Sequence, residues 1–424
     1  MSRNVELRGS QARGVRVALS AAVAVVSGGL SLPTAAADLG GNCCADLEDR
    51  IAELEATTAR KGNRKVSLTV SGWVNEAIFF WDDGVERNAY VGTNELEQSR
   101  FRFTGEAKIV DGWGAGYILE IGANGVGSKG FSQDSTGLNG ITVRKSAWFL
   151  KSKDLGKLTV GKYDTATYHL LDNLDTTLTR NVSDFEAAGV ALGAFKTRSG
   201  GVLGAKWIDF MGGFNNGTPG QSGLRNVVRY DTPEIAGFTA TASWGEDDQW
   251  ETALKYKADA GDFKVTASLG YGESTDKITN LGQCAVGTGD CLWWGAGALV
   301  SHSPTGLYVY GGYAENHIDL KTAQAGKDDD SSTWYVQGGI EQKWNALGKT
   351  NVFVEYRHDD VGLTKAADTA ELDFWSAGVA QNVEAADMTF YAFYRHFDGD
   401  FTKGFASKDL DALGMVITGA KINF

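Results

Sequence analysis

Catalysis needs titratable side chains held close together, and this chain offers few such groupings. Its histidines, His169, His302, His317, His358 and His396, are scattered and show no His-x-x-x-His spacing. The acidic runs Glu246-Asp247-Asp248 and Asp328-Asp329-Asp330 fall between periodic segments, where surface turns explain them better than acid–base chemistry or calcium sites. No glycine loop precedes a helix as a phosphate cradle would. No catalytic residue, metal ligand or cofactor is therefore nominated. What remains is charge of both signs. Arg100, Arg102, Arg225 and Arg229 sit at even spacings, which in a strand puts each pair on one face. One long polar stretch carries Asp164, Asp172, Asp175, Asp184 and Glu186, interrupted by His169, Arg180, Lys196 and Arg198. Such groups suit an electrostatic lining rather than a reaction centre.

The elements that must position these charges are strands. Phe101, Phe103, Ala107 and Ile109 alternate with Arg100, Arg102, Thr104, Glu106 and Lys108. Phe263, Val265, Ala267 and Leu269 interleave with Lys264, Thr266 and Ser268, and Val352, Val354 and Tyr356 with Asn351, Glu355 and Arg357. Period two gives a strand one apolar and one polar face. About sixteen such runs follow one another between residues 66 and 424. On the first, Val66, Leu68, Val70, Val74, Ile78 and Phe80 share the apolar side, which Glu76 interrupts; a protein–protein contact would accommodate it. Arg144 is counted with the basic wall, although Lys145 then takes the opposite face and charge alone does not orient that strand. By the same parity Trp148 and Trp375 fall inward, too sparse for an aromatic track.

The connections are asymmetric. After even-numbered strands they are tight, as at Asp111-Gly112, Lys153-Asp154-Leu155 and Ala346-Leu347-Gly348. After odd-numbered strands most are long and polar, as at 82–98, 124–140, 273–291 and 398–409, and 164–221 is far too long for an ordinary link. Short turns at one end and long loops at the other are the pattern of an outer-membrane barrel. In hydrocarbon every backbone N–H and C=O must be paired, so the sheet must close. About sixteen strands leave an aqueous channel rather than a side-chain-filled core. The expected fold is all-β: a transmembrane antiparallel up-and-down barrel over 66–424. A soluble sandwich would instead hide its apolar faces between two sheets.

Export agrees with this. Arg3, Arg8, Arg13 and Arg16 precede the apolar run Val17–Leu30, too short for the roughly twenty residues of a spanning helix. Ala35-Ala36-Ala37 supplies a small-residue cleavage site, so 1–37 reads as a signal peptide and Asp38 as the mature start. Cleavage removes four arginines and one glutamate, taking the formal charge from −13 to −16. So acidic an exported chain is a poor binder of nucleic acid. Residues 38–65 read as a charged helical stub, with Leu47, Ile51 and Leu54 at i, i+4, i+7: a surface helix or a short coiled coil between protomers. The proportions of 55 Gly and only 4 Pro, with 12 Trp, 14 Tyr and 20 Phe, suit closely spaced strands with interfacial aromatics. Cys284 and Cys291, close together in one loop of an oxidising compartment, are expected to form a disulfide; Cys43 and Cys44 have no assigned partner.

Several segments resemble the trimeric general porins of Gram-negative bacteria, most closely their alphaproteobacterial branch. Cys43-Cys44-Ala45-Asp46-Leu47-Glu48 through Arg60-Lys61-Gly62-Asn63-Arg64-Lys65-Val66 is similar to the approach to the first strand in that branch. Arg144-Lys145-Ser146-Ala147-Trp148-Phe149-Leu150-Lys151 with Leu155-Gly156-Lys157-Leu158-Thr159-Val160-Gly161-Lys162 resembles the hairpin before the pore-constricting loop. Asn226-Val227-Val228-Arg229-Tyr230-Asp231-Thr232-Pro233 resembles the hairpin after it, and Phe424 resembles the terminal aromatic read by the barrel-assembly machinery. The resemblance implies a homotrimer in outer-membrane lipid and passive diffusion of ions and small hydrophilic solutes. It also implies that the third loop, 164–221, folds inward and brings its acids toward the arginine wall. A substrate-selective porin would differ by an aromatic track or a lysine cluster in its lumen. A barrel plugged to act as an adhesin or enzyme would not conduct.

Overall fold

Period-two alternation closes on itself in a computed structural model of the protein, which describes residues 65–137, 139–181, 193–211, 223–245, 248–275, 287–288 and 290–424. The leader, the stub up to Arg64, Cys284, Asp184 and Glu186 lie outside the described residues. Eighteen strand segments form one antiparallel sheet. They make sixteen staves, because two staves are each interrupted once. In chain order these are β1 Thr69–Asp82, β2 Arg87–Thr93 continued by Arg100–Val110, β3 Trp113–Asn124 and β4 Gly140–Ser152. Next come β5 Gly156–Asp164, β6 Leu224–Asp231, β7 Phe238–Gly245, β8 Gln249–Ala260, β9 Phe263–Ser274 and β10 Cys291–His302. The last are β11 Leu307–Ile318, β12 Asp330–Asn345, β13 Gly348–Val361, β14 Thr369–Val383, β15 Met388–Lys403 and β16 Ala406–Asp409 continued by Leu413–Asn423. Closure is made by β1 and β16, from Trp73 opposite Asn423 to Asp82 opposite Gly414. Among the described residues no helix is long and apolar enough to cross a membrane.

Two expected loops turn out to be hairpins. The stretch 82–98 holds only a tight link at Asp83–Glu86, after which β2 pairs back along β1 from Arg87 opposite Asp82. Likewise β15 runs on to Lys403 and pairs with Ala406 in β16. Where strands rise above the bilayer neither face meets lipid, so period two fades from the sequence while the ladder continues. At the other end the turns are tight, and Gly112 holds φ +74° between β2 and β3, a conformation that costs glycine little.

Burial follows the pleat. On β1, Val70, Val74, Ile78 and Phe80 face outward and are exposed, whereas Asn75, Phe79 and Trp81 face inward and are buried. The inner face of β1 above Asn75 is therefore apolar too, because Phe131, between β3 and β4, packs on Phe79 and Phe195 of the third connection packs on Trp81. Trp148 and Trp375, 49% and 46% exposed, face outward, which corrects the parity expectation. Outward Trp–Tyr contacts recur around the barrel: Trp250–Tyr271, Trp294–Tyr313, Trp334–Tyr356 and Trp375–Tyr394. This is the girdle expected at a membrane interface. The outward faces of β16 and β1–β3 carry no such pair among the described residues.

Candidate functional site: the inner wall and the third connection

The link from β5 to β6 does not leave the barrel at once. Ala166 N–H donates to Ser243 Oγ on β7 at 2.8 Å, and Thr167 donates through N and Oγ1 to Glu251 Oε2 on β8 at 2.8 and 2.6 Å. Ser268 Oγ on β9 donates to the Leu170 carbonyl at 3.0 Å, and the Tyr310 hydroxyl on β11 to that of Leu171 at 2.7 Å. Leu178 N–H reaches Glu341 on β12 at 2.8 Å, and Gln337 Nε2 reaches Thr179 Oγ1 at 2.7 Å. Residues 165–179 thus lie along the inward faces of β7–β12. Polar inward side chains satisfy the backbone of a segment that has no ladder of its own. Gly270 permits the approach: a Cβ there would stand 2.3 Å from Leu170 Cδ2.

The outer part of the connection turns back across the extracellular half. A hairpin, Lys196–Ser199 with Val202–Lys206, is flanked by buried Phe195, Trp207 and Phe210. Trp207 meets Phe397 and Phe210 meets Phe401 on β15, while Phe195 meets Trp81 on β1. Arg198 ties it to the β1–β2 hairpin through Asp83 at 2.7 Å and Glu86 at 2.6 Å.

Opposite residues 165–179 stands the basic wall. A register shift between Glu120–Lys145 and Ile121–Val143 leaves Arg144 as the extra residue of a β-bulge. Bulges re-aim side chains, so Arg144 and Lys145 both point inward instead of taking opposite faces. Arg102 Nε lies 2.7 Å from Glu120 Oε2, Arg144 Nε 2.9 Å and Arg100 Nη1 3.5 Å from Oε1. Glu120 is fully buried under these three guanidinium groups. Its inward parity on β3 is visible in the sequence; its pairing with three arginines is not, because two neighbouring staves supply them.

The loop acids are placed differently from a simple face-to-face arrangement. Asp164 pairs with Lys145 at 2.7 Å. Asp172 is buried, hydrogen-bonds His169 and lies 3.3 Å from Arg180. Burial opposes its ionisation, but His169 and Arg180 hold the Asp172 carboxyl below its usual range. Asp175 accepts from Thr177 N and Oγ1, both at 2.8 Å, and from Thr179 Oγ1 at 2.6 Å. Burial, only partly offset by those donors, pushes its carboxyl up to about 6. Arg229 pairs with Asp231 at 2.7 Å and donates to the carbonyls of Asp164 and Thr165 at 3.3 and 3.0 Å, which anchors the start of the connection. Arg225 stands opposite Tyr163 in register. The contact across the lumen joins Arg180 and Arg144, both marked by the sequence, to Glu97 and Tyr168, to which the sequence pattern assigns no role. Arg180 lies 3.4 Å from Glu97, in the short helical turn that interrupts β2, and the Arg144 guanidinium donates to the Tyr168 hydroxyl at 3.0 Å.

Cys291 opens β10, is buried and is disulfide-bonded; Cys284 lies outside the described residues. At the rim, His317, Asp329 and Asp330 bring ligand atoms within 4.8 Å of one another, and His317 Nδ1 pairs with Asp330 at 2.7 Å. His317 and Asp330 satisfy each other as a hydrogen-bonded pair, with Asp329 partly buried beside them.

A closed barrel of sixteen staves with a polar-lined interior and a connection laid inside it defines a membrane diffusion channel. The chain belongs to the Gram-negative porin family, whose model matches residues 18–402. It is an outer-membrane channel for passive diffusion of small solutes. Among solved structures, the anion-selective porin from Comamonas acidovorans aligns with TM-score 0.56 at 16% identity, covering 85% of this chain and 100% of that one. OmpF of Salmonella typhi, in complex with daunomycin, aligns with TM-score 0.51 at 13% identity, covering 85% and 98%. OmpT of Vibrio cholerae, folded in vitro and in its trimer form, aligns with TM-score 0.50 at 16% identity, covering 85% and 99%. At these identities the likeness is one of fold. No curated protein matches the chain.

Proposed function

We propose that solutes pass a narrow section bounded by residues 165–180 on one side and by Arg100, Arg102 and Arg144 on the other. The observation that supports this is the row of hydrogen bonds that lays the third connection along β7–β12 inside the barrel. Opposed charges across a wet gap set up a transverse field, and low-dielectric walls focus it. Screening reaches only about 8 Å at physiological salt, so the narrowest section feels the field most. The channel conducts ions and small hydrophilic solutes rather than excluding them as a plugged barrel would.

Reconstitution of the refolded protein in a planar bilayer tests this directly. Stepwise ohmic conductance is expected; a silent bilayer from a folded barrel would favour an adhesin or barrel enzyme. Neutralising Asp172 and Asp175, together with Asp184 and Glu186, should shift selectivity toward anions. Neutralising Arg100, Arg102, Arg225 and Arg229 should shift it toward cations, and both shifts should shrink in high salt. Reversal potentials equal to wild type in both sets would remove the third connection from the narrow section.

The same reading includes export by cleavage after Ala37 and assembly as a homotrimer. Outward β16 and β1–β3, bare of Trp–Tyr pairs and carrying exposed Glu76, are the face offered to neighbouring protomers, since a carboxylate facing lipid is costly. Cross-linking from this face should trap trimers.

A further inference from the structure

The chain is formally −13, yet the inner wall between the third connection and the periplasmic turns is rich in lysine. On β8, Gln249, Glu251 and Ala253 are buried and inward, so Lys255 and Lys257 continue the same face toward the turn. Lys257 stands opposite Thr266 in register, and Lys264 lies two residues before Thr266 on β9. A recess of about 480 Å³ opens here beside Thr176 and Thr177 of the third connection. Four lysines line it, Lys257, Lys264, Lys343 and Lys349, against the two carboxylates Asp259 and Glu341. Two of the four are engaged: Lys343 with Glu384 at 2.6 Å and Lys349 with Glu341 at 2.9 Å. Among the described residues Lys255, Lys257 and Lys264 enter no ion pair, even though Asp259 stands opposite Lys264 in register.

Spacing decides what three unpaired ammonium groups do. Neighbouring strands lie about 4.8 Å apart, and residues two apart on a strand about 6.8 Å. Lys255 and Lys257 are thus about 7 Å apart, Lys257 and Lys264, on a diagonal, about 8 Å, and Lys255 and Lys264 about 14 Å. With screening over about 8 Å at physiological salt, Lys257 adds its potential to each of its two neighbours. A mobile anion relieves their mutual repulsion, and one bearing two charges relieves it more. The ammonium groups stay hydrated in a wet lumen, so binding is weak and release fast, as transport requires. Lys157, over the Phe149 ring at 4.5 Å, extends the basic surface on β5.

Resting on the channel reading above, we propose that Lys255, Lys257 and Lys264 form a transit site for small multivalent oxyanions on the periplasmic side of the narrow section, and make the pore prefer anions.

The test uses the refolded full-length mature protein in planar bilayers, with inorganic phosphate as probe. Wild type is expected to show an anion-favouring reversal potential in a KCl gradient. Phosphate added from the periplasmic side should reduce its chloride current saturably. The triple variant K255Q/K257Q/K264Q, shown to be folded by its heat-modifiable migration, should lower the chloride-to-potassium permeability ratio about threefold or more. It should also raise the half-blocking phosphate concentration about tenfold. A control variant, K365Q/K403Q/K408Q, changes lysines beside the outer hairpin and should leave both readings as in wild type. If the conducting triple variant matches wild type in both readings, or the control shifts them equally, the site is overturned while the channel reading stands. A silent wild-type bilayer would remove the channel reading and the site with it.

Discussion

Glu120 shows how much one side chain carries in a wet lumen. It sits fully buried beneath Arg100, Arg102 and Arg144. Removing one partner of a buried ion pair typically costs about 3–5 kcal/mol, because the other charge is left uncompensated. Arg102 remains 31% exposed, so water recovers part of that, and about 2–3 kcal/mol is expected for Glu120→Gln. The same change should move the reversal potential toward anions, since three guanidinium groups would then face the channel. Denaturant unfolding and reversal potentials together check it. Asp175 gives the pH dependence. Its carboxyl lies at about 6 in the folded chain against an ordinary 3.8, so the unfolded or undocked state ionises first as pH rises. The stabilisation tied to its protonated form is fully present below pH 3.8 and is lost as pH rises through about 6. Asp172 has the opposite sign: its lowered carboxyl stabilises at neutral pH and fails only on acidification through and below its ordinary range. Of these two carboxyls, the one that titrates between pH 7 and 5 is Asp175. Single-channel flicker should be quieter at pH 5, and Asp175→Asn should abolish the difference.

At the scale of elements, the third connection holds its place by borrowing partners. Hydroxyls and carboxylates on β7–β12 take up backbone groups that a loop crossing a lumen would otherwise leave to water, and the Gln337 amide donates to the Thr179 hydroxyl. The fourth stave shows the reverse influence: one extra residue at Arg144 turns two consecutive basic side chains to the same side. The connection between β9 and β10 needs a different device. We propose that Cys291, already disulfide-bonded, has Cys284 as its partner, closing a small ring that contributes roughly 2–3 kcal/mol at most to that loop. Non-reduced peptide mapping should recover the Cys284–Cys291 peptide. A Cys284–Cys291 double serine variant should conduct as wild type does.

For the molecule as a whole, closure is the condition on which everything else depends. Phe424 and Gly72 exchange backbone hydrogen bonds at 3.0 and 2.9 Å, which completes the seam between the last strand and the first. Gly72 has no room for a side chain there, since a Cβ would stand 2.3 Å from the Arg100 carbonyl oxygen. Deleting Phe424 should lower the yield of folded barrel in the outer membrane several-fold, through the seam it completes. Single-channel conductance of the barrels that do form should not change. Normal yield without Phe424 would take it out of assembly.

The sequence by itself determined the barrel. Alternation such as Phe101 to Lys108 is a local consequence of the pleat, and tight links such as Asp111-Gly112 recur after even-numbered strands whatever the rest of the chain does. It also marked Arg100 and Arg102 as inward, because parity needs no knowledge of neighbours. Only the tertiary structure decided how those charges are used. Arg144 turns inward through a bulge that exists in the register between β3 and β4, not in either strand alone. Glu120 gathers three arginines from two other staves, and Arg180 meets Glu97 from 83 residues away in the chain. Trp148 faces outward because the bulge at Arg144 resets the parity of its strand, and the inner side of β1 is apolar at Phe79 and Trp81 because Phe131 and Phe195 pack there. Pleat and turn are decided by adjacent residues; charge pairing, bulge and packing are decided by whichever distant segments closure brings together.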